Sequence, residues 1–434
     1  MSTAEITFEA KAVTASEETY GTGYLEERKL VGRWRSPWPQ IVSFLFVAAI
    51  FYATWWIFMD PRGIMRLYTP QIGYMYTRWM LIIAIWMVYL MHYWPFKRKW
   101  LENAHPVLKG IVLTAVLAGV LLIVIRVFFF GFIGNYAITY FSPKLMMELG
   151  ITEFFAMEYA SLACLMFASL ASWLSPAWPV AFENRPWDKL KQPALGFTVL
   201  AVTFLIAMLI YLATMHSHMA ILFYPWQQYT AVTPPWWMDF AGTVSGNFHI
   251  AWIMSCTVVV WLVETIWERW PFTELKKPGL RGIVTFFGII LLAFAFAFGV
   301  YYMQELRWGP AIMGDRYMDD PGWRWLHVGE TLVFFLLPAM FINFYCGNWP
   351  QKFSKPLNWT IRTLLTFALG IVVYVIYYKT GHLYLGVQQD MAHAQQFPMV
   401  PTIWFINMML VHHWFMDNWP GFKKVKVSEK EVTE

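Results

Sequence analysis

Trp270-Pro271-Phe272-Thr273-Glu274-Leu275-Lys276-Lys277-Pro278-Gly279-Leu280-Arg281 separates two long apolar runs, and its ingredients recur along the chain. Trp94-Pro95-Phe96 leads to Lys97-Arg98-Lys99 and Pro106, and Trp178-Pro179 leads to Lys189, Lys191 and Pro193. Trp349-Pro350 leads to Lys352, Lys355 and Pro356, and Trp419-Pro420 leads to Lys423-Lys424. Successive Trp-Pro pairs lie 84, 92, 79 and 70 residues apart, enough for one helix out, a loop and one helix back. A period of this kind decides how the rest is read. The chain reads as five helical hairpins in series, each closed by an aromatic, proline-broken, basic turn.

The composition agrees. Of 434 residues, 58% are hydrophobic and only 14% are charged, which is the profile of a polytopic membrane protein and excludes a soluble domain of this size. The net charge of +5 is spread between the apolar runs and is not pooled, so nucleic acid is not an expected partner. Cys164, Cys256 and Cys346 all fall inside apolar runs without a CxxC spacing and read as small core residues.

About twenty apolar residues cross a bilayer as a helix. Ten such runs are expected, near 38–59, 75–93, 107–134, 151–176, 192–214, 244–267, 281–303, 325–347, 358–378 and 397–416. The expected fold is therefore all-α: a cytoplasmic tail at 1–37, a transmembrane domain at 38–416 and a second tail at 417–434. Of 32 Lys and Arg, 23 lie in the tails or around the four internal turns, seven lie in the remaining loops, and Arg78 and Arg126 lie within runs. Basic loops stay in the cytoplasm, so both termini are expected there, in a plasma (inner) membrane. The helices read as little interrupted, with Pro338 the one proline deep in a run. Transporters built on inverted repeats carry matching helix breaks, and none is evident here.

Ionisable groups inside a bilayer are expensive and mark function. Glu158, His249, His327 and Glu330 fall at one depth, near the outer ends of inward-running helices. His327 and Glu330, three apart, share a helix face. Arg126 matches Glu158 in depth on the adjacent helix, and the two are expected to pair. These five residues are the candidate substrate site. Imidazole and carboxylate also ligate copper, iron or zinc, so His327, Glu330 and His249, with His216 and His218 spaced as ligands in an extended loop, are the candidate metal set. A metal site needs three or four such groups to converge. Phosphate-loop, dinucleotide, nucleophile-elbow and zinc-protease motifs are all missing.

With its aromatic-Pro turns and polar groups at the outer helix ends, the chain resembles the C subunit of copper membrane monooxygenases. No stretch reproduces that family's Asp and two His, and no residue is assigned from the likeness. Two functions are thus expected from different classes. One is a permease for a small polar or anionic solute. The other is a membrane subunit of a redox assembly, or a metal-dependent oxidoreductase, holding a transition metal or a quinone at its outer face and docking a periplasmic partner on Trp236-Trp237, Trp323 and Trp325.

Overall fold

The computed structural model describes residues 7–9, 29–69, 71–96, 99–223, 230–313, 320–387 and 398–425. The outer-loop residues Asp315, Asp319, Asp390 and His393, and most of both tails, lie outside these residues. Among the described residues, nine helices are long and apolar enough to cross a bilayer. In chain order they are α1 (Trp38–Met59), α2 (Ile72–Leu90), α3 (Pro106–Tyr136), α4 (Glu153–Phe182), α5 (Ala194–Thr214), α6 (Gly246–Glu264), α7 (Pro278–Trp308), α8 (Pro321–Cys346) and α9 (Lys355–Leu385). The tenth expected run is also helical: α10 comprises Met399–Leu410 continued by a π-helical turn, Val411–Phe415.

These helices sort into two shells. In α2, α4, α6 and α8, 72–78% of the most apolar stretch is buried inside the protein, against 17–33% in α1, α3, α5, α7 and α9. In α10 nearly every residue is buried. The buried helices form a closed ring, α2 against α4, α4 against α6, α6 against α8, α8 against α10 and α10 against α2. Each outer helix lies over a junction of that ring: α3 meets α2 and α10, α5 meets α2 and α4, and α7 meets α4 and α6. Likewise α1 meets α8 and α10, while α9 packs on α8 and reaches the end of α6 through Arg362 and Ile266.

The turns at the basic end share one backbone design. Two successive residues take left-handed φ: His92-Tyr93, Glu183-Asn184, Glu268-Arg269, Gly347-Asn348 and Asp417-Asn418. Next comes a residue whose N–H bonds the carbonyl three positions back, as Trp270 does to Trp267 at 2.9 Å and Trp419 to Met416 at 2.9 Å, and then a proline. Gly, Asn and Asp are the residues that tolerate left-handed φ best, which accounts for five of the ten occupants. This design corrects the second turn. Helix α4 runs straight through Pro176 and Pro179 to Phe182, and the turn falls at Glu183–Pro186. A turn at Trp178-Pro179 would need left-handed φ at Pro176, which the pyrrolidine ring forbids.

The helices are also less regular than expected. Trp55–Met59, Trp86–Leu90, Ile123–Ile133 and Val411–Phe415 are π-helical. In α8, Val333–Phe335 tightens to a 3-10 turn just before Pro338, whose ring clashes with the carbonyl four residues back. The tails add a short antiparallel sheet, β1 (Thr7–Glu9), β2 (Lys29–Gly32) and β3 (Phe422–Val425), with Leu30 opposite Lys424. Through β2 and β3 the two ends of the chain meet on one face.

Candidate functional site

A cavity of about 760 Å³ lies on the axis of the inner ring. All five inner helices line it: Tyr74 and Arg78 from α2, Leu162, Met166 and Ser169 from α4, Ile250 and Met254 from α6, Glu330 from α8, and Met399 and Ile403 from α10. The short helix His216–Phe223 contributes His218, Met219 and Leu222 at the mouth. Ile221, Leu222 and Trp323 on that rim are exposed.

Cross-helix bonds set the depths. The Gln71 N–H donates to Glu158 Oε2 at 2.8 Å, which levels the start of α2 with Glu158. Arg78 Nη2 contacts Met254 Sδ. Below them, Ser172 and Thr257 share a hydroxyl bond at 2.8 Å. Arg78, Ser169 and Met254 therefore form the floor. Deeper still, three rings from α2, α6 and α10 meet near the axis: Tyr89, Trp261 and Trp414 have centroids 5.6–6.2 Å apart. The cavity is closed towards the basic turns and bounded by exposed residues at the opposite end.

Arg78 is 1% exposed, its Nη1 has no hydrogen-bond partner, and no carboxylate among the described residues pairs with it. The other cations inside the protein are engaged: buried Lys109 pairs with Asp417 and buried Arg324 donates to the Gly309 carbonyl at 2.7 Å, while the half-buried Arg269 pairs with Glu264 and Arg281 with Glu183. Arg362 spends its guanidinium on the Pro350 and Ile266 carbonyls and lies 3.3 Å from Glu268. An intramembrane arginine costs ~2.5–3.5 kcal/mol even on the mildest insertion scale, and pairing is the usual remedy. Arg78 lacks that remedy and faces a cavity.

No protein family, no curated protein and no solved structure matches this chain. The geometry alone carries the reading.

Of the residues expected from sequence, His327 and Glu330 do come together, with Nδ1 2.8 Å from Oε2. Tyr74 donates to the other oxygen, Oε1, at 2.9 Å. His249 accepts from Trp252 Nε1 at 3.2 Å and has its ring centre 6.0 Å from that of His218. Glu158 is 4% exposed and caps the entry to α2. Arg126 does not meet it: Arg126 is exposed on the outer face of α3, 5.7 Å over the Phe130 ring. Matching depth does not fix direction around a helix, and the π-helical stretch of α3 turns that side chain away from the ring.

His216 and His218 also separate. Their segment is helical, so positions two apart point to different sides. His216 bonds Tyr140 Oη at 2.8 Å and stacks beside Trp237, whereas His218 faces the cavity. Burial pushes both imidazoles below their ordinary value, opposed in His218 by a bond to the Val244 carbonyl. Among the described residues no three His, Cys, Asp or Glu converge as a metal site. Among the described residues the donors stand as pairs, His327 with Glu330 and His218 near His249.

Arg78 is not among the candidates the sequence offers, although it is one of two arginines inside apolar runs; Arg126 has a depth-matched acid on the next helix and Arg78 has none.

Proposed function

We propose that this chain is a permease for a small anionic solute, bound in the axial cavity. The observation that supports it most is Arg78, a buried cation with no counter-ion among the described residues, on the floor of a chamber large enough for a solute. Closure by Tyr89, Trp261 and Trp414 on one side, and an exposed rim on the other, suit a carrier resting with its site towards the outside. The π-helical stretches in α1, α2, α3 and α10 give the ring points that can rewind when it turns over.

The membrane domain is read as ten spans in five hairpins around a pseudo-fivefold axis. The tails meet in β2 and β3, so the number of crossings is even, and α10 supplies the tenth. The positive-inside rule puts that face in the cytoplasm of a plasma membrane.

The test is uptake of radiolabelled organic anions into proteoliposomes. Arg78→Gln abolishes uptake, whereas Arg126→Gln, on the lipid side, leaves it within about twofold. Equal uptake by wild type and Arg78→Gln would overturn the reading. So would stoichiometric metal in the purified protein that is lost in His327→Ala.

A further inference from the structure

Resting on that anion-binding reading, the lining of the cavity narrows the solute to one chemical class. We infer that the ligand is an amphipathic monoanion, a single carboxylate-type headgroup on Arg78 carrying an unbranched apolar tail.

The charge count comes first. Among the described residues the cavity wall holds one arginine, Arg78, and one carboxylate, Glu330. Both oxygens of Glu330 are occupied, one by Tyr74 at 2.9 Å and the other by His327 at 2.8 Å. Glu330 is thus held by groups of the protein itself and forms no ion pair with Arg78 among the described residues. One negative charge satisfies the floor. A second would be buried against thioethers and leucines with no partner, which is strongly unfavourable.

The walls supply the rest. Between floor and rim the bonded pair Tyr74 and Glu330 is set in a wall of Leu162, Leu165, Met166, Ile250 and Met399. The other polar groups, Gln71, His218, Ser245 and Asn247, belong to the mouth and the outer helix ends. Methionine is unbranched and polarisable, so such walls follow a flexible chain better than a rigid, branched one. From Met254 at the floor to Gly246 at the rim is about 12 Å at the helical rise per residue. An extended chain of eight carbons spans about 9 Å, given ~1.5 Å bonds shortened by their zigzag, and its hydrogen bond to Arg78 takes up most of the remainder. The headgroup then sits at the bottom and the tail ends near Leu222 and Trp323.

Isothermal titration of the intact protein in nanodiscs tests this, with protein-free nanodiscs as the blank for partitioning. Acetate, butyrate, hexanoate and octanoate form the series; octanedioate, 2-aminooctanoate and octylammonium are the comparisons. Affinity should rise about two- to fourfold per methylene up to octanoate. The dianion, the zwitterion and the cation should each bind at least tenfold more weakly. Arg78→Gln should cost octanoate tenfold or more, and Met166→Gln should flatten the chain-length series. If acetate binds as well as octanoate and both depend on Arg78, the amphipathic class is wrong and the anion reading stands. If no anion binds, or octylammonium binds best, both fail.

Discussion

The Lys109 ammonium lies 2.8 Å from the Asp417 carboxylate, with both side chains buried, although 308 residues separate them. Lys109 opens α3, and Asp417 is the first left-handed residue of the turn that ends α10. The relation repeats. Arg281, opening α7, pairs with Glu183 in the turn after α4, and Arg362 in α9 lies against Glu268 in the turn after α6. Each cation joins an outer helix to the turn of an inner one. Glycines directly after two of them, Gly110 and Gly282, let the outer helix approach Met416 and Phe182 closely. The second residues of the turns complete the lacing: Tyr93 bonds the Trp414 carbonyl, Asn348 the Thr265 carbonyl and Asn418 the Phe344 carbonyl.

Breaking one buried pair leaves a buried charge without its ion partner. Lys109→Met alone, or Asp417→Leu alone, should therefore destabilise the protein by about 3–5 kcal/mol. The double variant should recover most of that loss. Denaturant unfolding of the four proteins in one detergent measures the coupling. Additive losses in the double variant would show that the pair does not act as a unit.

Arg78 predicts the opposite sign. Without ligand it is a buried charge with no carboxylate partner among the described residues, so Arg78→Met should stabilise the empty protein, by roughly 2–3 kcal/mol on the cost of such a charge. The same change removes solute binding, the usual exchange of stability for function. Thermal melting without solute checks it, and a lower melting temperature in Arg78→Met would count against an uncompensated cation.

The mouth of the cavity gives a pH dependence. His218 is held below the ordinary imidazole value, so the folded state keeps it neutral while an unfolded chain binds the proton more readily. By linkage, the stability tied to neutral His218 is fully present above pH ~6.5 and is lost as pH falls through the depressed value. The melting temperature should fall between pH 7 and pH 5, and His218→Gln should shrink that fall. An unchanged pH profile in His218→Gln would remove this residue from the account.

The native cysteines test orientation without engineering. Cys164 and Cys256 are buried, and Cys346, at the basic-turn end of α8, is partly exposed. A membrane-impermeant maleimide should label Cys346 in inside-out vesicles and not in spheroplasts. Labelling of spheroplasts would invert the topology.

How much of this was legible in the chain follows from what each feature depends on. Trp270-Pro271 and its copies announce the turns because local residue types decide left-handed φ and proline breaks. The second copy misled because Trp178-Pro179 has the right letters, and only the ban on left-handed φ at Pro176 moves the turn to Arg185-Pro186. The two shells were not legible, since a run such as Ala194–Thr214 is apolar all round and its lipid face emerges only from ring packing. His327 and Glu330 met as expected because one helix carries both. Arg126 and Glu158 did not, because direction around two different helices is a tertiary property. Arg78 owes its importance to five helices converging on it, which no local pattern encodes.

The most direct measurement is an experimental structure of the protein with 8-bromooctanoate, located by the anomalous signal of bromine. The account predicts a carboxylate within hydrogen-bond distance of the Arg78 guanidinium and bromine near Leu222 and Trp323. Bromine outside the ring, or an Arg78 already paired with a carboxylate of the chain itself, would contradict it.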